Sequence, residues 1–321
     1  METGVQDMMT GQREPHFLQD DRGFYTTSYG PFVLRSAFQP IFSQNEQGHL
    51  TIEAFEALIR AQQDGKPVSP PRFFSMVEKA EALAVDTLCR ELHILNMGKL
   101  GRRKARLFIN FNPGLFDEID SIDTEVDRMV DVTIKAGLRP GRIVCEITEQ
   151  GSGNEKVLNR LVDRLRSRLF RIAVDDYGAD DSDSKRVNDL KPDVLKFDAA
   201  WVRRFTETSA GMGLLKLMVA QFIERGITVL FEGLEEDHQI EFCQTIGVQL
   251  MQGYALARPE IVPRTFDDRF PEPELTQVGD PVSPVYERSQ LHDVAAAPPP
   301  GDFPIRTMPP RRAASFGKRT R

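Results

Sequence analysis

Residues 173–184 read Ala-Val-Asp-Asp-Tyr-Gly-Ala-Asp-Asp-Ser-Asp-Ser, with five aspartates between Asp175 and Asp183. Like charges this close raise one another's pKa, and a bound cation reverses the penalty. An acidic run standing by itself is otherwise a solvated loop, so the other polar residues of the chain decide between the two readings. Several stand at the ends of apolar runs: Glu56 in EAFEALIR, Asn110 in INFNP, Glu146 and Glu149 in CEITE, Lys196 and Asp198 in VLKFD, Glu232 and Glu235 in LFEGLE, and Gln252 in MQGYAL. Any one of these could cap a helix or meet water. A ring of carboxylates with one amide and one lysine, gathered at a single mouth, instead calls for divalent cations. Oxygen donors of this kind suit Mg²⁺ or Mn²⁺. The adjacent Asp175 and Asp176 could serve two ions, an arrangement that activates water and steadies both oxygens of an in-line phosphoryl displacement. The chemistry within reach is therefore metal-assisted phosphoester hydrolysis. An EF-hand is excluded, because no Gly stands at the sixth position of the loop and no Glu at the twelfth.

For these residues to meet, the elements carrying them must converge. Short β-type runs occur at FVLRSAFQPIF, LTIEAFEAL, ARLFINFN, RIVCEIT, RIAVDD, DVLKFD, TVLFEG and VQLMQGYAL. Helix-period segments such as FFSMVEKAEALAVDTLCRELHILNMGKL, NEKVLNRLVDRLRSRL and GMGLLKLMVAQFIERG fill most of the gaps. Alternation of this kind predicts an α/β protein with a (β/α)₈ barrel, whose active site forms at the C-terminal strand ends. No Gly-x-Gly-x-x-Gly follows the first strand, which argues against a dinucleotide-binding sheet.

The chain has 321 residues, 40% apolar and 28% charged, with a net charge of −7 and a pI of about 5.4. This balance offers no bulk attraction to nucleic acid or an anionic membrane, and no run is long enough for a membrane span. The N-terminus has no basic region followed by an apolar core, so no secretory signal is expected. Cys89, Cys145 and Cys243 are widely spaced and odd in number, as reduced core thiols of a cytoplasmic protein would be. Neither they nor the five scattered histidines have zinc-ligand spacing. Three regions are expected: a flexible N-terminal arm over 1–30, a barrel domain over 31–262, and a disordered Pro-rich tail over 263–321. From Glu260 onward the chain holds eleven of its 21 prolines, and its last eleven residues carry Arg311, Arg312, Lys318, Arg319 and Arg321 without an acid. Such a basic end could dock on nucleic acid, lipid or an acidic partner, or simply solubilise the tail.

The motifs FQPIF, FEALIR, INFNP, EITE, VDDYG, LKFD, FEGLE and QGY, in this order, resemble those of EAL-domain cyclic-di-GMP phosphodiesterases over roughly residues 33–259. The resemblance implies a modified (β/α)₈ TIM-type barrel with an antiparallel first strand, and a bacterial enzyme that hydrolyses cyclic di-GMP to linear pGpG with Mg²⁺ or Mn²⁺. By motif position, Glu56, Asn110, Glu146 and Asp175 resemble metal ligands, with Asp176 and Glu232 contributing to a second metal site. Lys196 matches the lysine beside the attacking water, which makes Glu56, Lys196 and Glu232 the expected catalytic set. Gln39, Leu58 and Arg60 match dinucleotide contacts, and Asp198 and Gln252 fall on the ligand wall. Glu149 and Glu235 resemble glutamates that anchor the loop after the paired aspartates. That loop departs from the family. Asp180 replaces a glycine and Asp181 an aromatic residue, in a segment that normally supports the second metal and dimer-coupled control, so a homodimer is a further expectation. Retention of all six metal positions favours an enzyme. The rewritten loop favours a non-hydrolysing cyclic-di-GMP receptor or protein-interaction module on the same barrel, and a barrel acting on another nucleotide stays open.

Overall fold

Strand-forming runs separated by amphipathic helices can bury both sheet faces only by closing the sheet or covering it on both sides. The computed structural model of the chain describes residues 16–44, 48–116, 119–147, 155–178, 183–261 and 265–272, and in it the sheet closes. The barrel strands are β1 (Phe32–Gln44), β2 (Leu50–Gln63), β3 (Arg106–Phe111), β4 (Ile143–Ile147), β5 (Arg171–Tyr177), β6 (Val194–Phe197), β7 (Thr228–Phe231) and β8 (Leu250–Met251). From β2 to β8 each strand lies parallel to the next. β1 closes the ring antiparallel to both β2 and β8, as the expected modified barrel requires.

Period-2 alternation sorts the strand residues into two layers. One residue from each strand (Ile41, Ala54, Phe108, Val144, Ala173, Val194, Leu230 and Leu250) forms a closed apolar cluster inside the barrel. The alternate positions, among them Leu107, Cys145, Ile172, Leu195 and Val229, face outward into a larger core. That core is covered by helices α1 (Ala82–Lys99), α2 (Ile119–Lys135), α3 (Glu155–Ser167), α4 (Asp183–Leu190), α5 (Ala199–Thr206), α6 (Ser209–Glu224) and α7 (Asp237–Ile246). β1 and β2, at 13 and 14 residues, are much the longest strands. β2 pairs with β3 only over Ala54–Glu56, so the β1–β2 hairpin rises past the barrel rim as a wall, widened by Tyr25–Tyr29 and Glu260–Ile261 beside β1 and by Lys66–Val68 beside β2.

Both expected domain boundaries move outward. Residues 16–30 are not an arm: Tyr25–Tyr29 pairs antiparallel with β1, and Asn96 on α1 holds Tyr25 through both its backbone N–H (2.7 Å) and its carbonyl (2.9 Å). Polar Thr-Thr-Ser sequence hid this strand, which lies between β1 and the short Leu18–Gln19 strand and buries only Thr27 fully. Beyond residue 262, a short helix, Thr265–Arg269, docks on the barrel. Phe266 packs on Phe55 and Phe270 on Phe42, and Arg102 grips the Phe266 carbonyl and the Asp267 carboxylate. Phenylalanines four apart give this turn the apolar face that the Pro-rich composition around it masks.

Candidate active site

In each barrel strand the side chain two residues nearer the C-terminal mouth points to the same interior as the apolar layer. Counting from that layer gives Gln39, Glu56, Asn110, Glu146, Asp175, Lys196, Glu232 and Gln252 (β1 runs backwards, so its count descends). Every one is polar. The alternation that fills the barrel with hydrocarbon thus places an eight-membered polar ring directly above it.

Lys196 stands at the centre of this ring with 1% of its side chain exposed. Its Nζ lies 2.7 Å from Glu146 Oε1, 3.0 Å from Asp175 Oδ1, 3.1 Å from Glu232 Oε2 and 3.8 Å from Glu56 Oε1. Burial works against the ammonium, but Asp175, Glu146, Glu232 and Glu56 outweigh it and hold the Lys196 pKa well above that of a free lysine. Burial also raises Glu146 well above the usual carboxylate range, against the pull of Lys196 and with the push of Glu56 and Asp175. Glu232 is pushed up to about 8, again chiefly by burial, with Asp175, Glu56 and Asp176 adding to it. Glu56 is tied to the closing strand by Gln252, whose Nε2 donates to its Oε2 at 2.6 Å.

Asp175 and Asp176 both reach the mouth because β5 is irregular there. Val174 pairs with Leu195 and Tyr177 with Phe197, so three steps on β5 face two on β6. Such a bulge re-aims side chains. Asp176 takes the extra residue in the left-handed region (φ 56°), which Asp tolerates better than most residues. Gly178 follows at φ 101°, and a Cβ there would run into the Trp201 ring. Asp175, Asp176 and Glu232 each offer an oxygen within 4.8 Å of the others.

These residues suit divalent cations. Four carboxylates (Glu56, Glu146, Asp175 and Glu232) share one ammonium, Asp176 stands beside two of them, and Glu146 Oε2 and Gln252 Oε1 are buried without a hydrogen-bond partner. Hard oxygen donors in excess of positive charge are the coordination chemistry of Mg²⁺, Mn²⁺ and Ca²⁺.

Of the other expected site residues, Gln39 is buried in the ring and donates through Nε2 to the Ala257 carbonyl at 3.2 Å. Leu58 and Arg60 lie on the same face of β2 as Glu56, successively farther up the hairpin wall. Arg60 is lowered in pKa by burial, with Tyr254 and Glu56 opposing the shift. Asp198 is engaged as the N-cap of α5, its Oδ1 accepting from Trp201 N at 2.7 Å. Glu235 is exposed just before α7, where its backbone N–H donates to Gln239 Oε1 at 2.8 Å. Glu149, Asp180 and Asp181 lie outside the described residues. One residue escaped the sequence reading. Arg186 on α4 donates to the carbonyls of Ile147 and Asp175, clamping together the ends of β4 and β5. No spacing marks it, since its partners are backbone atoms.

Comparison with known proteins adds the following. Residues 33–259 match the family model described as "EAL domain". The chain is 22% identical over 260 residues to the probable cyclic di-GMP phosphodiesterase PdeA of Escherichia coli (strain K12), covering 79% of this chain and 34% of that protein. It is 24% identical over 234 residues to the cyclic di-GMP phosphodiesterase NbdA of Pseudomonas aeruginosa, covering 70% and 29%. The chain thus spans about a third of the length of these relatives. Among solved structures it resembles Klebsiella pneumoniae BlrP1 in complex with manganese and cyclic di-GMP, with a TM-score of 0.64, 25% identity, and coverage of 78% of this chain and 60% of that one. It also resembles the Bacillus subtilis YkuI protein in complex with cyclic di-GMP and calcium, with a TM-score of 0.61, 24% identity, and coverage of 71% and 56%.

Proposed function

Because the chain belongs to the EAL domain family, we propose that it is a divalent-metal-dependent phosphodiesterase that opens cyclic di-GMP to linear pGpG. The observation carrying this reading is the unbroken polar ring, in which Glu56, Asn110, Glu146, Asp175, Lys196 and Glu232 converge from six consecutive strands. Glu56, Asn110, Glu146 and Asp175 would hold one Mg²⁺ or Mn²⁺, and Asp176 and Glu232, with Asp175 between them, a second. Such ions polarise phosphoryl oxygens and make water a nucleophile at neutral pH.

The residues of the chain do the rest. Lys196, fixed by three carboxylates at about 3 Å, presents a positive charge to the reacting phosphorus and offsets the charge that grows on its oxygens in the transition state. Glu232, 3.1 Å from Lys196 Nζ, would be held ionised by the second cation and would help keep that ammonium in place. Arg60 and Leu58 on the wall, and Gln39 in the ring, orient the dinucleotide so that water and leaving oxygen lie in line.

Purified full-length chain incubated with cyclic di-GMP and Mn²⁺ or Mg²⁺, with products separated by anion exchange, tests the proposal. Metal-dependent accumulation of pGpG is expected. Tight binding without product would instead identify a receptor, and absence of both would point to another nucleotide.

A further inference from the structure

Arg186 is the fourth residue of α4, and a cation so near a helix N-terminus works against the macrodipole. Its position is fixed by the helix that carries it. Val187 and Leu190 are buried in the core, and at the far end Arg166 donates to the carbonyls of Leu190 and Lys191 at 2.6 and 2.5 Å. Lys185 ties the near end to α3 through Glu155 at 2.8 Å. From this strut the Arg186 side chain reaches over the strand ends. Its guanidinium donates to the carbonyl of Ile147, the last residue of β4, and at 3.5 Å to the carbonyl of Asp175 on β5.

Both carbonyls adjoin the polar ring. Ile147 directly follows Glu146. The Asp175 carbonyl belongs to the peptide group that joins Asp175 to Asp176, and the rotation of that group about the N–Cα bond of Asp176 is the φ of 56°. A residue other than glycine stays in the left-handed region only where its surroundings hold it there. On the β6 side the ladder does so: Val174 pairs with Leu195 and Tyr177 with Phe197, and the Asp198 N–H donates to the Tyr177 carbonyl at 3.1 Å. On the β4 side the ladder stops at Ile147 opposite Val174, one residue short of Asp175. Arg186 takes over at that point, bridging the two strands where their own pairing has ended.

Resting on the metal-dependent reading above, we infer that Arg186 is a positioning residue for metal capture. By holding the peptide between Asp175 and Asp176 it keeps both carboxylates at the mouth, where Asp175, Asp176 and Glu232 offer oxygens within 4.8 Å of one another. A planar guanidinium can serve two acceptors on different strands in a fixed geometry, which an ammonium on a flexible stem does with less definition. Without the bridge, the peptide is free to rotate towards an ordinary negative φ and swing Asp176 away from its two neighbours. Cation affinity then falls, while the chemistry at a filled site persists.

Full-length Arg186→Met and Arg186→Lys are compared with Arg166→Met, which removes the cap at the opposite end of the same helix. Mn²⁺ binding to the nucleotide-free protein is measured by calorimetry, melting is followed in EDTA, and turnover of cyclic di-GMP is followed against Mn²⁺ concentration. Arg186→Met is expected to raise both the Mn²⁺ Kd and the Mn²⁺ concentration for half-maximal turnover about tenfold, with kcat at saturating Mn²⁺ within about threefold of the parent. Arg186→Lys should raise both by a smaller factor. Arg166→Met should lower Tm in EDTA and leave the Mn²⁺ Kd at the parent value. Unchanged Mn²⁺ affinity in Arg186→Met overturns the inference, whether or not its Tm falls. Equal losses of affinity in Arg166→Met and Arg186→Met do so too, by assigning the effect to the stability of α4. A parent that binds Mn²⁺ without hydrolysing cyclic di-GMP sinks the phosphodiesterase reading alone, and the calorimetry still decides the role of Arg186. A parent that binds no Mn²⁺ overturns both.

Discussion

Replacing Lys196 by Met, which keeps the length of the side chain and removes its charge, should cost the metal-free protein much of its stability. Three carboxylates lie at 2.7–3.1 Å from Nζ. At an effective dielectric of about 20, each contact at roughly 3 Å is worth about 5 kcal/mol of gross attraction. Desolvation of the ammonium and its partners cancels most of that sum, and breaking a buried ion pair typically costs about 3–5 kcal/mol net. For a domain of this size each kcal/mol moves Tm by about 2–4 °C, so a fall of roughly 6–20 °C is expected in EDTA. The loss should depend on pH in one direction. Glu146 and Glu232 already have raised pKa values in the folded protein, the latter about 8 against 4.5 for an ordinary glutamate. A carboxyl with a raised folded pKa keeps its proton while the unfolded chain has given its own up, so stability falls as pH rises from about 4.5 to about 8. Without Lys196 these groups rise further, and the deficit deepens towards the alkaline end of that window. Mn²⁺ should restore part of it by supplying positive charge. Calorimetric melts of parent and variant near pH 5 and near pH 8, with EDTA and with Mn²⁺, measure all three effects. A variant melting within about 2 °C of the parent near pH 8 in EDTA would show that the ring does not depend on the ammonium.

Three further outcomes are expected. Glu56→Ala should abolish hydrolysis, and Glu56→Gln should be nearly as damaging, because the amide keeps the shape but loses the charge; near-native rates at ordinary Mn²⁺ would contradict the metal assignment. Asp176→Asn should impair turnover severely while the combined change of Asp180, Asp181 and Asp183 to Asn leaves it largely intact, since those charges would act only through screened solvent over about 8–10 Å; equal loss in both, read by product formation, would mean the altered loop has recruited new ligands. Gly178→Ala should destabilise by about 1–3 kcal/mol, because φ 101° strains an L-residue and the new methyl group meets Trp201; as Trp201 is the only tryptophan, its fluorescence should shift with the melt.

The ring was legible in the sequence because its members break an otherwise apolar alternation. Glu146 in Ile-Val-Cys-Glu-Ile and Lys196 in Val-Leu-Lys-Phe have no reason to sit in buried strands unless something compensates them. What the sequence could not reveal was geometry set by irregularity. The bulge that turns Asp175 and Asp176 the same way depends on pairing with β6, which no local pattern announces. Arg186 acts on carbonyl oxygens, which every residue has. Two segments, one helical and one β-type, were also read too coarsely. The stretch before β3 divides into Pro70–Ser75, a 3₁₀ turn at Lys79–Glu81 and α1, because Pro70 and Pro71 fix one start and the Met76–Glu78 connection interrupts the path. The run read as VQLMQGYAL supplies only two strand residues, Leu250 and Met251, before Gly253 turns against the backbone of Leu234.

The antiparallel first strand has a consequence for how the molecule is made. β1 and β2 are neighbours in the chain and can pair as a local hairpin early in folding, at small loop-closure cost. The ring above them cannot form so early. Its last joint, Met251 against Phe42, unites strands from opposite ends of the barrel domain, and until it closes Gln252 has no Glu56 to hold. A chain in which that joint is open therefore lacks the support that Gln252 gives Glu56. A partly folded chain carries the acidic residues dispersed and solvated, with little affinity for a cation. On the proposed metal assignment, competence to capture an ion would rise with closure, and metal binding would then serve as a probe of the completed barrel.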